Sequence, residues 1–260
     1  MKVKYIVIVI LILVSASALT WATKGKFLKP EVAVKKVALI PEPTTEDIVY
    51  DPALLEKFRE VSANLDAGKP ECLIVGVINS FNHADSSDVI RDLNYIYSKK
   101  GQDFYYKLGN TETINAHNTC IYIDHDSRQV IVSPYRSASK VGFANMEQLL
   151  KGLESESYEL TSTINGDQET IAMINEDHVS MKEYRVSFDT LTLKATRVYT
   201  RYANPENPEG TNNEKTMEIG LSVLQNKSGI EKYIAKPVVT KNGAHLALEK
   251  SFEGYELIQM

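Results

Sequence analysis

From Cys72 to Leu224 the chain is a succession of short β-branched and aromatic runs, many of them separated by a turn of only a few residues. Parallel neighbours need a crossover of about a dozen residues or more, so runs joined this tightly must pair antiparallel. Strands are predicted over Cys72–Phe81, Leu93–Ser98, Phe104–Leu108, Thr119–Asp124 and Gln129–Ser133. A second set covers Tyr158–Ile164, Glu169–Ile174, Glu183–Phe188, Leu193–Tyr202 and Thr216–Leu224. Lys99-Lys100-Gly101-Gln102 and Asn165-Gly166-Asp167 are hairpin turns, and Asn242-Gly243 suggests a last hairpin before Leu246-Ala247-Leu248. Asn204 to Gly210, with two prolines, is a loop.

Two amphipathic helices accompany the strands. Asp51 can cap the first, Pro52 suits its first helical position and Gly68 closes it. Leu54, Phe58, Val61 and Leu65 then recur on one face. The second spans about Phe143–Leu153, with Met146, Leu149, Leu150 and Leu153 on one side. Ser228-Gly229-Ile230-Glu231 is a capping-box candidate for a short third helix. The fold class read from these elements is α+β and mainly β: a single curved antiparallel sheet, or open half-barrel, covered by two or three helices.

The strand faces differ in character. Thr216–Leu224 alternates apolar and polar, as a sheet with one wet face should, and so does Tyr184–Asp189. In Leu73–Phe81 the residues Leu73, Val75, Val77 and Phe81 share one face while Ile74 and Ile78 occupy the other, so both sides look covered. Helices and sheet then form either a solid core or an incompletely filled concavity. The lining of such a concavity would be Leu54, Phe58, Val61, Val75, Val77, Tyr106, Met146, Leu150, Val186 and Phe188. It would take an acyl chain or another hydrophobic ligand.

The N-terminus reads as an address. Lys2 and Lys4 precede an uncharged apolar run from Tyr5 to Val14, followed by the small-residue pattern Ala16-Ser17-Ala18. Three readings stay open: residues 1–22 are a cleaved export signal, residues 5–22 remain as an inner-membrane anchor that brings the chain into membrane contact, or the domain is cytosolic. Residues 23–50 form a Lys/Pro-rich linker with a short strand candidate at Val37–Ile40, and residues 51–260 form the folded domain. The first two readings, which the N-terminal pattern favours, place the domain in the periplasm or outside the cytoplasm. With 29 basic and 34 acidic residues the chain shows no basic field for nucleic acid.

The stretch Ile121-Tyr122-Ile123-Asp124-His125-Asp126-Ser127-Arg128-Gln129-Val130 and the aromatic run Phe104-Tyr105-Tyr106-Lys107-Leu108 carry a resemblance. So do Val75-Gly76-Val77-Ile78 and Tyr184–Asp189. Over about residues 51–224 the chain resembles the periplasmic lipoprotein-carrier (LolA/LolB-like) superfamily. That resemblance implies an open antiparallel half-barrel under helices, a cavity for a lipid or lipoprotein acyl chain, and no catalysis. The family's Arg-Pro-x-x-Phe-Arg pattern before the aromatic strand has no counterpart in Lys99–Tyr106. The alternative is an interaction module that binds an envelope protein partner and no small ligand.

Candidate chemistry is sparse. His83, His125 and His178 each neighbour carboxylates, but all three clusters sit at turns, where Asp and Asn serve the backbone. No metal site, cofactor or catalytic residue is expected, since no phosphate-binding loop, nucleophile elbow or dinucleotide fingerprint is present. Cys72 and Cys120 lack redox spacing and are either two buried thiols or one bridge. Lys194, Arg197 and Arg201, beside Tyr199 and Tyr202, could face an acidic head group or pair with acids such as Glu183 or Glu218 across the strands.

Overall fold

A computed structural model describes residues 50–65, 69–137, 146–205, 213–242 and 245–260. The N-terminal address, the linker and the Val37–Ile40 candidate lie outside the described residues, as do Gly68 and most of the Asn204–Gly210 loop.

Helix α1 (Pro52–Ala63) starts as its sequence dictates: the Asp51 carboxylate accepts from the Ala53 amide at 2.8 Å and Pro52 opens the first turn. It ends earlier than Gly68, because the Asn64 and Leu65 amides turn back to Val61 and Ser62. Strands β1 (Glu71–Asn82), β2 (Val89–Lys100), β3 (Asp103–Leu108), β4 (Thr111–Ala116), β5 (Thr119–Asp124) and β6 (Gln129–Pro134) follow as a meander. Helix α2 (Met146–Ser155) leads into β7 (Glu159–Asn165), β8 (Gln168–Ile174), β9 (Met181–Asp189), β10 (Ala195–Tyr202) and β11 (Lys215–Gln225). The chain closes with the single turn α3 (Glu231–Ile234), the hairpin β12 (Val239–Asn242) and β13 (His245–Leu248), a 3-10 turn at Lys250–Phe252, and β14 (Glu256–Gln259).

Twelve strands form one curved sheet in the order β14-β6-β5-β4-β3-β2-β1-β11-β10-β9-β8-β7. Its ends, β14 and β7, do not pair with each other, so the sheet stays open. Three features depart from the sequence expectation. Strand β4 is an addition, because Thr-Glu-Thr-Ile-Asn-Ala has no apolar run; it is defined instead by its turns. His117 and Asn118 both adopt positive φ (53° and 64°), the backbone of a two-residue hairpin loop. The sheet is also not wholly antiparallel, since β14 pairs with β6 in parallel. Short turns dictate antiparallel pairing only between consecutive strands, and more than a hundred residues separate these two. Finally, the Ser228–Glu231 capping box does not form: α3 has no side-chain cap.

Cross-strand partners share a face, which lets one row of side chains be followed through the sheet. Ile171, Val186, Val198, Ile219 and Ile78 are successive partners on β8, β9, β10, β11 and β1. On β1, β2 and β3 the same face carries Ile74, Tyr97 and Tyr106. Helices α1 and α2 lie on this face over β8–β10, where Phe58, Val61, Leu149 and Leu153 bury against Ile171, Val186, Phe188 and Val198. The opposite face is covered elsewhere: Ile230, Val238 and Tyr233 of the C-terminal segment pack on Tyr105, Ile114, Ile121 and Val130. The helices and the C-terminal segment therefore cover opposite faces of the sheet, and in β1–β3 both faces are buried, with Ile74, Tyr97 and Phe104 on the helix side and Tyr105 on the other. The reading of β1 as apolar on both sides reflects that arrangement.

Candidate hydrophobic ligand site

The helix-covered face begins at a tightly closed end. Phe58 and Val61 have no solvent exposure, and the Phe58 ring meets Tyr184 edge-on with centroids 6.2 Å apart. Tyr50 pins the start of α1, its hydroxyl donating to the carbonyls of Leu153 and Tyr158 at 2.6 and 2.7 Å. Lys57 reaches the sheet and donates to Glu169 at 2.9 Å, and Ser162 donates to the same carboxylate at 2.7 Å. Burial pushes the Glu169 carboxyl up, but the hydrogen bonds from Lys57 and Ser162 and the Lys57 charge hold it below its ordinary value.

Along the same face, β1–β3 carry an aromatic stretch. Tyr95 meets Tyr106 edge-on at 5.7 Å, and Tyr97 lies tilted against Phe104 at 6.4 Å. Burial pushes the hydroxyls of Tyr95, Tyr97 and Tyr106 well above the usual phenol range, so each remains a protonated donor. Tyr97 is wholly buried, and its hydroxyl has no hydrogen-bond partner among the described residues.

This face brings together Leu54, Phe58, Val61, Leu150, Val186 and Phe188 in one packed cluster, with Tyr106 further along the sheet. It does not include Val75 and Val77. Both sit on the opposite face, because β1 alternates and Ile74, Gly76 and Ile78 are the residues in register with the helix side. The sequence shows that both faces are apolar but not which one the helices cover. The side chain of Met146 lies outside the described residues.

No family model matches the chain, and no curated protein matches its sequence. In structure it is similar to an uncharacterized conserved protein from Thermus thermophilus, at 6% identity and a TM-score of 0.35, covering 78% of this chain and 98% of that one. It is also similar to a domain described as an outer membrane lipoprotein-sorting protein domain from Vibrio parahaemolyticus (12% identity, TM-score 0.30, 69% and 94% covered). A third similar structure is a DUF1329 family protein from Desulfovibrio piger (9% identity, TM-score 0.30, 70% and 95% covered).

Two polar clusters lie away from this face or at its margin. Arg201 donates to Glu183 at 3.0 Å and to Glu214 at 3.1 Å, and it also pairs with Glu176. Lys182, only 2% exposed, sits 3.2 Å from Glu214. Lys182 is the extra residue where the β9–β10 register shifts, so a bulge takes its side chain out of the strand's simple alternation. Arg201 thus pairs with Glu183, and Arg197 faces Glu218 at 3.6 Å, which is the cross-strand charge pairing expected of these residues. The hidden part is Lys182–Glu214, whose pairing depends on a bulge and on the approach to β11.

The second cluster centres on His125, whose Nε2 is 3.2 Å from Glu112 and whose Nδ1 is 2.8 Å from the Tyr255 hydroxyl. Glu112 also accepts from Tyr105 and Lys107, each at 2.9 Å. Burial raises the Glu112 carboxyl, but these hydrogen bonds and the Lys107 charge outweigh it and hold the group low. The arrangement ties β4 and β5 to the C-terminal segment. It joins residues 13 and 130 positions apart, with no local signal in the sequence. Among the histidine-flanking carboxylates, Asp124 accepts from the Asp126 and Ser127 amides and Asp85 from the Ser87 amide at turns, whereas Glu176 pairs with Arg201.

Proposed function

We propose that the helix-covered face binds an acyl chain or a similar hydrophobic ligand, and that the protein is a non-enzymatic binding or carrier protein of the cell envelope. Tyr97 carries this reading. An unpaired buried hydroxyl costs about 1–3 kcal/mol, a penalty relieved by a ligand that brings an acceptor into an otherwise apolar row. Ile74, Tyr97 and Tyr106 together offer a hydrocarbon-compatible row with phenol donors, of which the Tyr97 hydroxyl has no partner among the described residues, the chemistry that suits an ester or amide-linked acyl chain. The export address, in either of its forms, puts such a protein where lipids are handled outside the cytoplasm.

Tyr97→Phe separates this from a solid core. Without the hydroxyl, the ligand-free chain should gain up to about 1–3 kcal/mol in urea unfolding, because an unpaired polar atom is removed. Affinity for a fluorescent acyl ester should fall about tenfold, equivalent to one hydrogen bond of about 1.4 kcal/mol. Ile74→Trp should block the same probe, and Val77→Trp on the opposite face should leave it bound. A parent chain that co-purifies without lipid and ignores the probe would refute the reading. A stoichiometric envelope protein in its place would make the domain an interaction module.

A further inference from the structure

We propose that two copies of this chain pair edge to edge through β7, antiparallel about Ser162, to continue the sheet from one copy into the next. The two edges of the sheet are treated differently. Beyond β6 the chain's own C-terminus adds β14, whereas β7 ends the other side with nothing further along the ladder among the described residues. Edge strands are normally blunted by proline, inward-facing charge or a bulge. β7 has none of these: its sequence is Glu-Leu-Thr-Ser-Thr-Ile-Asn, and its pairing with β8 runs unbroken from Glu159–Ile174 to Asn165–Gln168.

The strand also complements itself. A two-fold axis at Ser162 sets Thr161 opposite Thr163, Leu160 opposite Ile164 and Glu159 opposite Asn165 of the second copy. No like charges meet, and β-branched pairs of this kind favour a ladder. Leu160 already leans on the core, whereas Ile164 is 69% exposed on the same face and would be covered by the second copy's Leu160. A seven-residue edge is small, so the association is reversible and concentration-dependent. It does not depend on the ligand reading above.

The test uses the full chain in mild detergent. Sedimentation between about 1 and 200 μM should show a monomer–dimer equilibrium. Under mild oxidation, Ser162→Cys should form a disulfide-linked dimer, since residues directly opposite in an antiparallel pair are about 4.5–5.5 Å apart at Cα, within disulfide reach. Ser86→Cys, exposed elsewhere, should not. Thr161→Lys with Thr163→Lys sets lysine against lysine and should abolish the dimer. Thr161→Lys with Thr163→Glu should restore it from an equally substituted chain. A monomer at all concentrations with no cross-link would overturn the proposal. So would a thiol at position 162 that resists alkylation in a monomer, which would put a segment of the same chain on the edge. A dimer that survives the double lysine change would mean another surface, and would overturn it too.

Discussion

Arg201→Met should be among the most damaging single changes outside the apolar core. The guanidinium is 15% exposed and bridges Glu183 and Glu214, which are 2% and 9% exposed. It is held charged first by its hydrogen bond to Glu176 and, against the burial that opposes this, by Glu183 and Glu214. Stability turns on the two buried acids, because Glu176 is 60% exposed and returns to water when freed, at a cost of about 0–1 kcal/mol. Removing one member of a buried ion pair typically costs about 3–5 kcal/mol. Lys182 still serves Glu214 and Arg185 still serves Glu183, which favours the lower half of that range. At about 2–4 °C per kcal/mol for a domain of this size, a loss of about 3–4 kcal/mol should lower the melting point by roughly 6–16 °C. Adding Glu183→Gln should recover at least about 1 kcal/mol, the coupling expected of contacting charges. Urea unfolding followed by far-UV circular dichroism measures both. A loss below about 1 kcal/mol would refute the assignment of this cluster as a buried clasp.

Phe58→Ala should cost about 3–5 kcal/mol in the same assay, because the ring is fully buried against Tyr184; a loss under about 1 kcal/mol would mean that α1 is only loosely seated. Gly76→Ala should destabilise by about 1–3 kcal/mol or more, since a Cβ there would stand 2.3 Å from the Gly220 carbonyl oxygen. Gly220→Ala meets nothing within 4 Å and should be near neutral, so equal effects would contradict the β1–β11 geometry. Cys72 and Cys120 should titrate as two thiols in denaturant after aerobic purification, and reductant should not move the melting point. They form no disulfide and lie on β1 and β5 with three strands between them, about 19 Å apart and far beyond disulfide reach; a bridged pair would require a different sheet order.

What the sequence made legible was local. Asp51, Pro52 and the Leu54–Phe58–Val61–Leu65 spacing define α1 within a few residues, and Gly166 at φ 59° marks the β7–β8 turn that Asn165-Gly166-Asp167 announces. Local physics also explains the failures. Thr111–Ala116 has little apolar content of its own, and its place in the sheet comes from Leu108 and Cys120 on its neighbours and from positive φ at His117 and Asn118. The parallel β14–β6 pair and the His125–Glu112–Tyr255 tie are set by tertiary closure, which leaves no periodic trace.

The placing of both Val75 and Val77 away from the helices is tied to one further irregularity. Opposite Val75 and Gly76 the register skips Ser222, so β11 carries the extra residue while β1 keeps its alternation. Leu221 and Leu224 can then both contribute to the helix-side core although they are three positions apart, and the Ser222 hydroxyl turns to the Val75 carbonyl at 3.1 Å. A bulge in β1 would have brought Val75 and Val77 onto different faces. A bulge in β11 keeps them together, away from α1 and α2, and leaves Ile74, Gly76 and Ile78 on the helix side. Gly76 is the point of closest approach, where the missing side chain lets the Gly220 carbonyl press against β1. The same backbone feature therefore decides both which residues can line a hydrophobic site and where β1 tolerates no added atom.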